Sequence, residues 1–314
     1  MRKRWLGKTG IEVSELALGT WGLSGDGYGL VHEHDMERTI DRAVGVGITL
    51  FDTSDVYAEG GMERLLGQRL PVNKTVVVTK LGTCTSEGYP EKRFDGPTLY
   101  ESFDRSQERL RRDPVDVVLL HHPSLATMKK DEPFEVLADL ERRGRIRAWG
   151  VAAGNAKIAA KAIERGAKVL EMAYNCFFYQ DVQDLALVMR EQGVGLLARS
   201  VLSYGLLTGH WSAEREFYPG DHRFERWNPD ELQRRIGQVD ALRAVVGGPA
   251  PTPRSVALRF ALECPQVSSA VLGPRNTVQL DQLVREAGRM PPYLAPVTLD
   301  KLYAELAARG VTGE

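Results

Sequence analysis

Four polar residues lie where apolar runs end, and their types suit proton transfer to oxygen. Asp52 closes the apolar run 48–51, and Tyr57 follows five residues later in a glycine-containing loop. Lys80 closes a second apolar run, and His121 closes a third. If these runs are neighbouring strands of one parallel sheet, their ends lie side by side at one edge. The four side chains then form a site that can hand a proton to a reacting oxygen.

The pairing of a tyrosine with a lysine indicates carbonyl reduction. A tyrosine has a pKa near ~10, and a neighbouring cation favours the phenolate and lowers that pKa. At a separation of ~4 Å and an effective dielectric of ~20, the attraction between the ammonium and the phenolate is on the order of 4 kcal/mol. This free energy is comparable to the ~3 pKa units that separate the tyrosine pKa from neutral pH. Asp52 would keep Lys80 charged, and His121 would orient a carbonyl oxygen. Because no side chain donates hydride, the reaction requires a nicotinamide cofactor.

Each of these residues alone also fits a structural role. Asp52 can cap its loop, Tyr57 can pack on the next helix, Lys80 can be a solvated strand-end lysine, and His121 can be a hydrogen-bonded core histidine. Four such residues on neighbouring strand ends favour the chemical role.

The fold class follows from eight short apolar runs that alternate with helical patterns. Each run is nearly continuously apolar, which is typical of parallel strands buried on both faces. Eight units favour an α/β fold of the closed (β/α)8 TIM barrel type over an open sheet, and no GxGxxG follows the first strand. We expect one domain, 1–314, with an N-terminal hairpin at 2–14 and additional C-terminal helices. The expected strands are 15–22, 50–52, 75–80, 115–120, 146–151, 169–174, 194–198 and 269–272.

Two connections depart from this alternation. Residues 82–95 are rich in glycine and charge and are expected to form a loop. The insert 209–229 is polar, aromatic and charged, which indicates a functional loop or lid rather than core.

Composition limits the partners. The net charge of -1 over 314 residues gives no sign of nucleic acid or an acidic membrane. No apolar run reaches the roughly 18 residues that span a bilayer. The basic N-terminus lacks the apolar segment of a signal peptide. The three cysteines lie far apart, as in a reduced cytoplasmic protein. The expected partner is a small carbonyl or alcohol substrate; the sequence does not indicate an oligomeric state.

Long stretches of the chain strongly resemble the aldo-keto reductase superfamily. They are LGKTGIEVSELALGTWG, FDTSDVYAEGGMERLLGQRL, VVVTKLG, VDVVLLHHP, LLARSVLSYGLLTGH and VLGPRNTVQLDQL. The resemblance implies a TIM barrel that binds NADP(H), and it places the family's catalytic tetrad on Asp52, Tyr57, Lys80 and His121. The family's histidine is usually followed by tryptophan, whereas His122 follows here and is a rival for the role.

The resemblance also implies a set of cofactor-binding residues along the rim of strands seven and eight. A helix N-terminus is a natural phosphate site, and Arg275 could pair with a 2′-phosphate, which favours NADPH over NADH. The match of Arg223 to a phosphate-side motif is weaker. The complete set is Gly19, Thr20, Trp21, Asp52, Glu171, Arg199, Ser200, Leu202, Gly205, Leu206, Arg223, Gly273, Arg275 and Gln279.

The sequence departs from the family at positions that contact the cofactor. Ala152 and Ala153 replace the serine and asparagine that usually hold the nicotinamide amide. Glu171 replaces a glutamine; it could accept from the carboxamide NH₂, although a charged carboxylate is costly to bury. Leu283 replaces an asparagine at the adenine end. Gly154 and Asn155 offer a displaced amide contact.

Three hypotheses therefore stand. The leading one is NADPH-dependent reduction of an aldehyde or ketone. The second is a non-catalytic NADP(H)-binding sensor or regulatory subunit on the same fold. The third, a metal-dependent hydrolase, has only His121, His122 and Asp52 as potential ligands. The candidate walls of an apolar substrate pocket, several of which are expected to pack the barrel ends instead, are Trp21, Tyr28, Tyr89, Phe177, Phe178 and Trp211.

Overall fold

The protein is built around a closed barrel of eight parallel strands. The computed structural model describes residues 1–86, 89–212 and 214–314, without the side chains of residues 85, 86, 89 and 90. The barrel strands are β3 (Leu16–Gly19), β4 (Leu50–Asp52), β5 (Val76–Leu81), β8 (Val115–His121), β9 (Ile146–Ala152), β10 (Val169–Ala173), β11 (Gly195–Arg199) and β12 (Val267–Leu272). They pair in this order, and β12 closes the barrel on β3. The predicted TIM barrel is confirmed.

Two antiparallel hairpins are attached to the barrel. β1 (Lys3–Trp5) pairs with β2 (Glu12–Ser14), as the sequence predicts. Leu6, Ile11 and Val13 from this hairpin pack into the barrel interior. The second hairpin, β6 (Thr83–Ser86) with β7 (Tyr89–Lys92), corrects the expected loop at 82–95. Its strands lack an apolar pattern because they pair with each other rather than with the core.

Helices surround the barrel and bury the outward faces of its strands. They are α1 (Trp21–Ser24), α2 (Glu33–Gly45), α3 (Gly61–Arg69), α4 (Gly96–Leu110), α5 (Leu125–Met128), α6 (Glu132–Arg142), α7 (Ala156–Glu164), α8 (Gln180–Gln192), α9 (Pro229–Gln238), α10 (Asp240–Arg243), α11 (Pro253–Glu263), α12 (Thr277–Ala287) and α13 (Pro296–Ala308). Short 3-10 turns lie at Tyr57–Gly60, Val72–Lys74 and Ser203–Thr208. Among the described residues, no helix is long and apolar enough to cross a membrane.

Two element boundaries differ from the sequence prediction. The first barrel strand ends at Gly19, and the residues predicted to extend it begin helix α1 instead. The helix expected over 230–246 is divided into α9 and α10, with Val239 between them.

Candidate active site

Five barrel strands end their inward-facing row with a polar residue. Side chains alternate between the two faces of a strand, so residues two positions apart point the same way. In each case an apolar residue of the interior is followed two positions later by the polar one: Leu50 and Asp52 on β4, Val78 and Lys80 on β5, Leu119 and His121 on β8, Val169 and Glu171 on β10, and Leu197 and Arg199 on β11. These five polar side chains lie at the C-terminal rim, where barrel enzymes carry their chemistry.

Lys80 is the centre of this rim and lies between two carboxylates. Its Nζ is 2.5 Å from Asp52 Oδ1 and 3.3 Å from Glu171 Oε2, and it donates to the Thr53 carbonyl at 3.0 Å. Lys80 is 1% exposed, Asp52 4% and Glu171 3%. One buried cation thus serves two buried carboxylates, and the less buried Arg199 is a second, more distant cation, with its Nε 4.0 Å from Glu171 Oε1.

Burial and charge displace the proton affinities of this cluster. Burial alone would lower the pKa of Lys80, but the charges of Asp52 and Glu171 outweigh it and raise that pKa, so the lysine stays charged. Burial, and then the charge of Glu171, raises the pKa of Asp52. Burial also opposes ionisation of Glu171, yet the charges of Lys80 and Arg199 lower its pKa. The two carboxyl groups therefore retain a shared proton to higher pH than isolated carboxyl groups would.

Tyr57 lies over the Lys80 cluster. The ring centre of Tyr57 is 5.4 Å from Lys80 Nζ and 6.2 Å from the centre of the His121 ring, which it meets edge-on at 82°. Burial raises the pKa of Tyr57, the charge of Lys80 lowers it, and the charges of Asp52 and Glu171 raise it further. The net shift is upward. Lys80 thus lowers the pKa as expected, but burial outweighs its effect, and Tyr57 is a neutral phenol, that is, a proton donor, at neutral pH.

A strained turn presents Tyr57 to this rim. Tyr57 opens the 3-10 turn, and Ala58 and Gly60 both adopt left-handed φ values, 48° and 79°. The Ala58 N–H donates to Asp26 Oδ2 at 2.8 Å, which ties the turn to the loop after β3. A Cβ on Gly60 would lie 2.7 Å from Arg109 Nε. Glycine is required there both by backbone conformation and by space.

His121, rather than His122, points into the barrel. His121 is 8% exposed, and its Nδ1 lies 3.1 Å from Ser54 Oγ. Its backbone carbonyl accepts from Lys92 Nζ at 2.8 Å. His122 follows in a left-handed conformation (φ 52°), and its side chain is exposed. Burial, and then the charge of Lys80, holds the pKa of His121 well below its ordinary value, so its ring is neutral.

Glu171 was predicted as a cofactor contact, but its role as a partner of Lys80 was missed. Its Oε1 is 4.0 Å from Arg199 Nε, and Arg199 also reaches the Ala153 carbonyl at 3.4 Å. The sequence carried the signal: Val169 and Glu171 have the same two-residue spacing as Leu50 and Asp52. That spacing assigns Glu171 to the inward face beside the other polar strand ends.

The segment after β11 has features that suit an anionic ligand. Ser200 has a left-handed φ of 56°, and its carbonyl accepts from Asn175 Nδ2 at 2.9 Å. Gly205 is also left-handed, with a φ of 99°. In the described part of the chain the N–H groups of Val201 and Leu202 donate to no acceptor. Consecutive free amides on a twisted backbone are the donors that bind phosphate oxygens, so this segment fits the diphosphate of a dinucleotide.

In the segment after β12, the polar groups already form hydrogen bonds within the protein. Asn276 caps α12 by accepting from the Gln279 N–H at 2.9 Å. The Arg275 N–H donates to Gln279 Oε1, also at 2.9 Å. The Arg275 guanidinium donates through Nη2 to the carbonyls of Gly29 and Leu30 at 2.8 and 2.9 Å. Arg275 would have to release these carbonyls to pair with a phosphate.

Several of the other predicted cofactor residues have structural contacts of their own. Thr20 is buried, and both its N–H and its hydroxyl donate to the Asp52 carbonyl, at 2.9 and 3.0 Å. Gly19 packs against β12, since a Cβ there would lie 2.8 Å from Val271 Cγ1. Gly273 has ordinary space around it, because its nearest neighbour to a Cβ is the Gly19 carbonyl at 3.9 Å. Leu206 is a core residue, 1% exposed.

Leu202 and Leu283, two positions singled out by the sequence, differ in exposure. Leu202 is partly buried and packs against the core from the edge of the segment after β11. Leu283, at the predicted adenine end, is 5% exposed and lies within the hydrophobic core around α12. The leucine that replaces the family's asparagine is thus held inward by packing.

The insert 209–229 packs onto the loop after β3. The Arg223 guanidinium pairs with Asp221, with Nε 2.8 Å from Oδ1, and lies 4.8 Å from the Tyr28 ring centre. The ring centres of Trp21 and His222 are 4.6 Å apart. Arg223, which the sequence predicts as a phosphate contact, therefore already forms an ion pair with Asp221 inside an aromatic cluster.

The residues predicted to line an apolar substrate pocket differ in burial and in their contacts. Phe177 is fully buried in the core and cannot line a pocket. Phe178 is half-buried, with the Arg235 guanidinium 5.4 Å from its ring centre. Trp211 belongs to the insert and lies 5.7 Å from Arg223. The side chain of Tyr89 lies outside those that the structure describes. No group of three or more metal-ligating side chains is found within residues 1–86, 89–212 and 214–314.

Comparison with known proteins matches most of this chain to one family. The sequence model of the Aldo/keto reductase family matches residues 15–288. Aldo-keto reductase YhdN of Bacillus subtilis is 27% identical over 292 residues, which are 89% of this chain and 87% of that protein. A probable voltage-gated potassium channel subunit beta of Arabidopsis thaliana is 26% identical over 321 residues, 96% and 95% of the two chains.

A solved structure supports the fold independently. Glycerol dehydrogenase AKR11B4 from Gluconobacter oxydans superposes with a TM-score of 0.85 at 24% identity, covering 99% of this chain and 96% of that one. At this identity the likeness concerns the barrel. Because the family match extends over most of the sequence, this chain belongs to the aldo/keto reductase family of oxidoreductases.

Proposed function

We propose that the protein reduces an aldehyde or ketone to an alcohol, with NADPH as reductant and Tyr57 as proton donor. The observation that carries this proposal is the position of Tyr57, with Lys80 Nζ 5.4 Å from its ring centre and the His121 ring beside it. Family membership supports nicotinamide-dependent oxidoreduction. The three cysteines are free thiols, so we place the reaction in the reducing cytoplasm.

Each side chain of the site has a separate role around the substrate oxygen. Tyr57, neutral at working pH, donates its hydroxyl proton to the carbonyl oxygen as that oxygen gains negative charge. Lys80 then faces the tyrosinate and offsets its charge, while Asp52 and Glu171 hold the ammonium group in place. His121, neutral and fixed at Nδ1 by Ser54, orients the oxygen. When bound, the reduced nicotinamide supplies the hydride that no side chain can supply.

The rim also offers groups that would hold the cofactor. The free amides of Val201 and Leu202, with Ser200 beside them, suit the diphosphate. Arg275 would bind a 2′-phosphate after leaving its carbonyl partners, which is the basis for preferring NADPH over NADH. Glu171 can accept from the nicotinamide carboxamide while it contacts Lys80.

Cofactor titration is the first test. The chain has five tryptophans, and Trp21 lies at the rim, so NADPH and NADH can each be titrated by tryptophan fluorescence. We expect binding of both, with NADPH the tighter ligand, followed by turnover of at least one member of a broad aldehyde and ketone panel. If neither nucleotide binds, the proposed function is wrong.

Tyr57→Phe tests the assigned proton donor. The change deletes one hydroxyl and leaves the ring, so NADPH affinity should be retained while the rate falls roughly 10²–10⁴-fold, the usual contribution of a positioned general acid. Tyr100→Phe is the matched control: Tyr100 lies on α4 and donates to Asp139 at 2.8 Å, away from the rim. A Tyr57→Phe enzyme with near-normal kcat would assign the proton to another group.

A second candidate function is an NADP(H)-binding regulatory subunit. Two observations favour it: the similarity over nearly the full length to a protein named as a potassium channel subunit beta, and the alanines at the nicotinamide-amide positions 152 and 153. NADPH binding without turnover of any carbonyl in the panel would favour this candidate over the reductase.

A further inference from the structure

The hydroxyl of Ser54 is placed between two hydrogen-bond acceptors. Ser54 is fully buried in the loop that follows β4. Its Oγ is 3.0 Å from Asp55 Oδ1 and 3.1 Å from His121 Nδ1. A serine hydroxyl carries one proton but can accept through its lone pairs. A third acceptor, the Lys80 carbonyl, is more distant, at 3.5 Å. Ser54 can therefore donate at short range to Asp55 or to His121, but not to both.

The ring of His121 must respond to that choice. The ring is neutral, so it carries one proton, either on Nδ1 or on Nε2. When Ser54 accepts at Nδ1, that nitrogen bears the proton and Nε2 is left as an acceptor. When Ser54 donates to Nδ1, the proton is on Nε2, which is then a donor. The hydrogen bond at one ring nitrogen fixes the function of the other.

We propose that Asp55, acting through Ser54, sets the tautomer of His121 and thereby decides whether Nε2 can donate a hydrogen bond to the carbonyl oxygen of the substrate. This inference rests on the proposed function. Ionised Asp55 accepts a hydrogen bond from Ser54, Ser54 accepts from Nδ1–H, and Nε2 is left without a proton to donate. Protonated Asp55 donates to Ser54, Ser54 donates to Nδ1, and the Nε2–H donates to a carbonyl oxygen.

The interconversion balances with one proton from solvent. On passing to the protonated form, the Nδ1 proton moves to Ser54 Oγ, the Ser54 proton moves to the Asp55 carboxylate, and Nε2 takes up a proton from the pocket. No covalent bond other than these N–H and O–H bonds changes. Ser54 and Asp55 are positioning residues in this scheme, because neither contacts the reacting atoms.

The surroundings of Asp55 allow this switch near neutral pH. Burial, and then the charge of Glu63, raises the pKa of Asp55 to about 7, although Arg109 and Arg105 oppose the shift. From the β6–β7 hairpin, Lys92 and Cys84 also face this carboxylate. The charged and titratable groups that face Asp55 thus come from α3, α4, β6 and β7: Glu63, Arg105, Arg109, Cys84 and Lys92.

Nitrogen NMR of ¹⁵N-histidine-labelled protein without cofactor tests the tautomer directly. The chain has six histidines, and His121→Gln identifies the signals of His121. In the wild type we expect the Nδ1–H form near pH ~8.5 and conversion to the Nε2–H form near pH ~5.5, on either side of the Asp55 titration. His122, whose ring centre lies 5.3 Å away, is the internal control.

Two variants separate the relay from general effects of pH. In Asp55→Ala, Ser54 has lost its carboxylate acceptor and donates to Nδ1, so His121 should hold the Nε2–H form across the whole range. In Ser54→Ala the coupling is lost, and the tautomer should no longer follow Asp55. A wild-type His121 with one tautomer throughout, or an Asp55→Ala protein that titrates like the wild type, would overturn the inference.

Turnover supplies the second readout. The value of kcat/KM for carbonyl reduction should rise several-fold more on acidification in the wild type than in Asp55→Ala, because only the wild type gains the Nε2–H donor as Asp55 is protonated. Superimposable pH profiles of kcat/KM in the two proteins would count against the inference. If no carbonyl or alcohol is turned over, the proposed function fails, while the cofactor-free NMR result still decides whether Asp55 controls His121.

Discussion

The consecutive residues Thr79 and Lys80 of strand β5 each contact a buried group of charges, Thr79 on the outer face of the strand and Lys80 on the inner face. On the outer face, Thr79 donates to Glu63 Oε1 at 2.5 Å, and Arg109 Nε donates to Glu63 Oε2 at 2.7 Å. One carboxylate faces one guanidinium, and both carboxylate oxygens are bonded. Glu63 is fully buried, so this balanced pair holds α3 and α4 against the barrel.

On the inner face of the same strand, one buried cation is shared between two carboxylates. Lys80 meets Asp52 and Glu171 together, and Glu171 Oε2 makes no hydrogen bond among the described residues. The pKa values of all three groups are displaced from their ordinary ranges. Displaced proton affinities in a buried, incompletely satisfied cluster are typical of functional sites. The comparison teaches that complete hydrogen bonding of the charges, rather than burial, distinguishes the structural pair from the chemical cluster.

Removing the inner cation should have the largest effect. In Lys80→Met the tyrosinate left after proton transfer would face two carboxylates and no cation, so kcat/KM should fall roughly 10²–10⁴-fold. The shape of the pH–rate profile should change as well, and circular dichroism should show a folded protein. Lys168→Met is the control, because Lys168 forms a half-exposed pair with Glu141 just before β10. An unchanged pH–rate profile in Lys80→Met would show that Lys80 does not act on the proton of Tyr57.

Removing the outer cation, Arg109, should lower the free energy of unfolding instead. Arg109→Met leaves Glu63 buried without its partner, which typically destabilises a protein by about 3–5 kcal/mol. We expect that loss in urea unfolding, without the roughly 10²–10⁴-fold fall in kcat/KM that is expected for Lys80→Met in the protein that remains folded. Arg105→Met on the same helix breaks an exposed pair with Glu101 and should change the free energy of unfolding by less than ~1 kcal/mol. Equal losses in the two variants would remove the distinction between the two faces.

The sequence predicts which face of a strand a residue occupies but not which partner it meets across the barrel. Strand β4 is predicted with its exact bounds, because an apolar run closed by Asp52 leaves little choice. Period-two spacing also places Glu171 inward. Its contact with Lys80 depends on the stagger of non-adjacent strands β5 and β10, which no local pattern records.

Hydrogen bonds between side chains and loops that lie far apart in the chain are also not predicted by the sequence. The 3.1 Å contact between Ser54 and His121 joins residues 67 positions apart. Arg275 donates to the carbonyls of Gly29 and Leu30 because the fold brings their two loops together. Motif resemblance assigns such residues to a ligand because it carries no information on competing contacts within the protein.

The smallest effect should come from neutralising one inner carboxylate, in Glu171→Gln. Apart from burial, Glu171 is the main cause that raises the pKa of Asp52, so the change should lower that pKa. A raised native pKa stabilises the fold below the unfolded-state pKa, and the stabilisation is lost as pH rises through the native pKa. Above about pH 5, where carboxylates in the unfolded chain are ionised, the contribution of Asp52 to the wild-type free energy of unfolding should therefore decline with pH by at most ~1.4 kcal/mol per unit. Glu171→Gln should flatten this decline in urea unfolding, whereas Glu141→Gln, which alters only the surface pair with Lys168, should preserve it. Parallel curves for wild type and Glu171→Gln would mean that Asp52 and Glu171 do not share a proton.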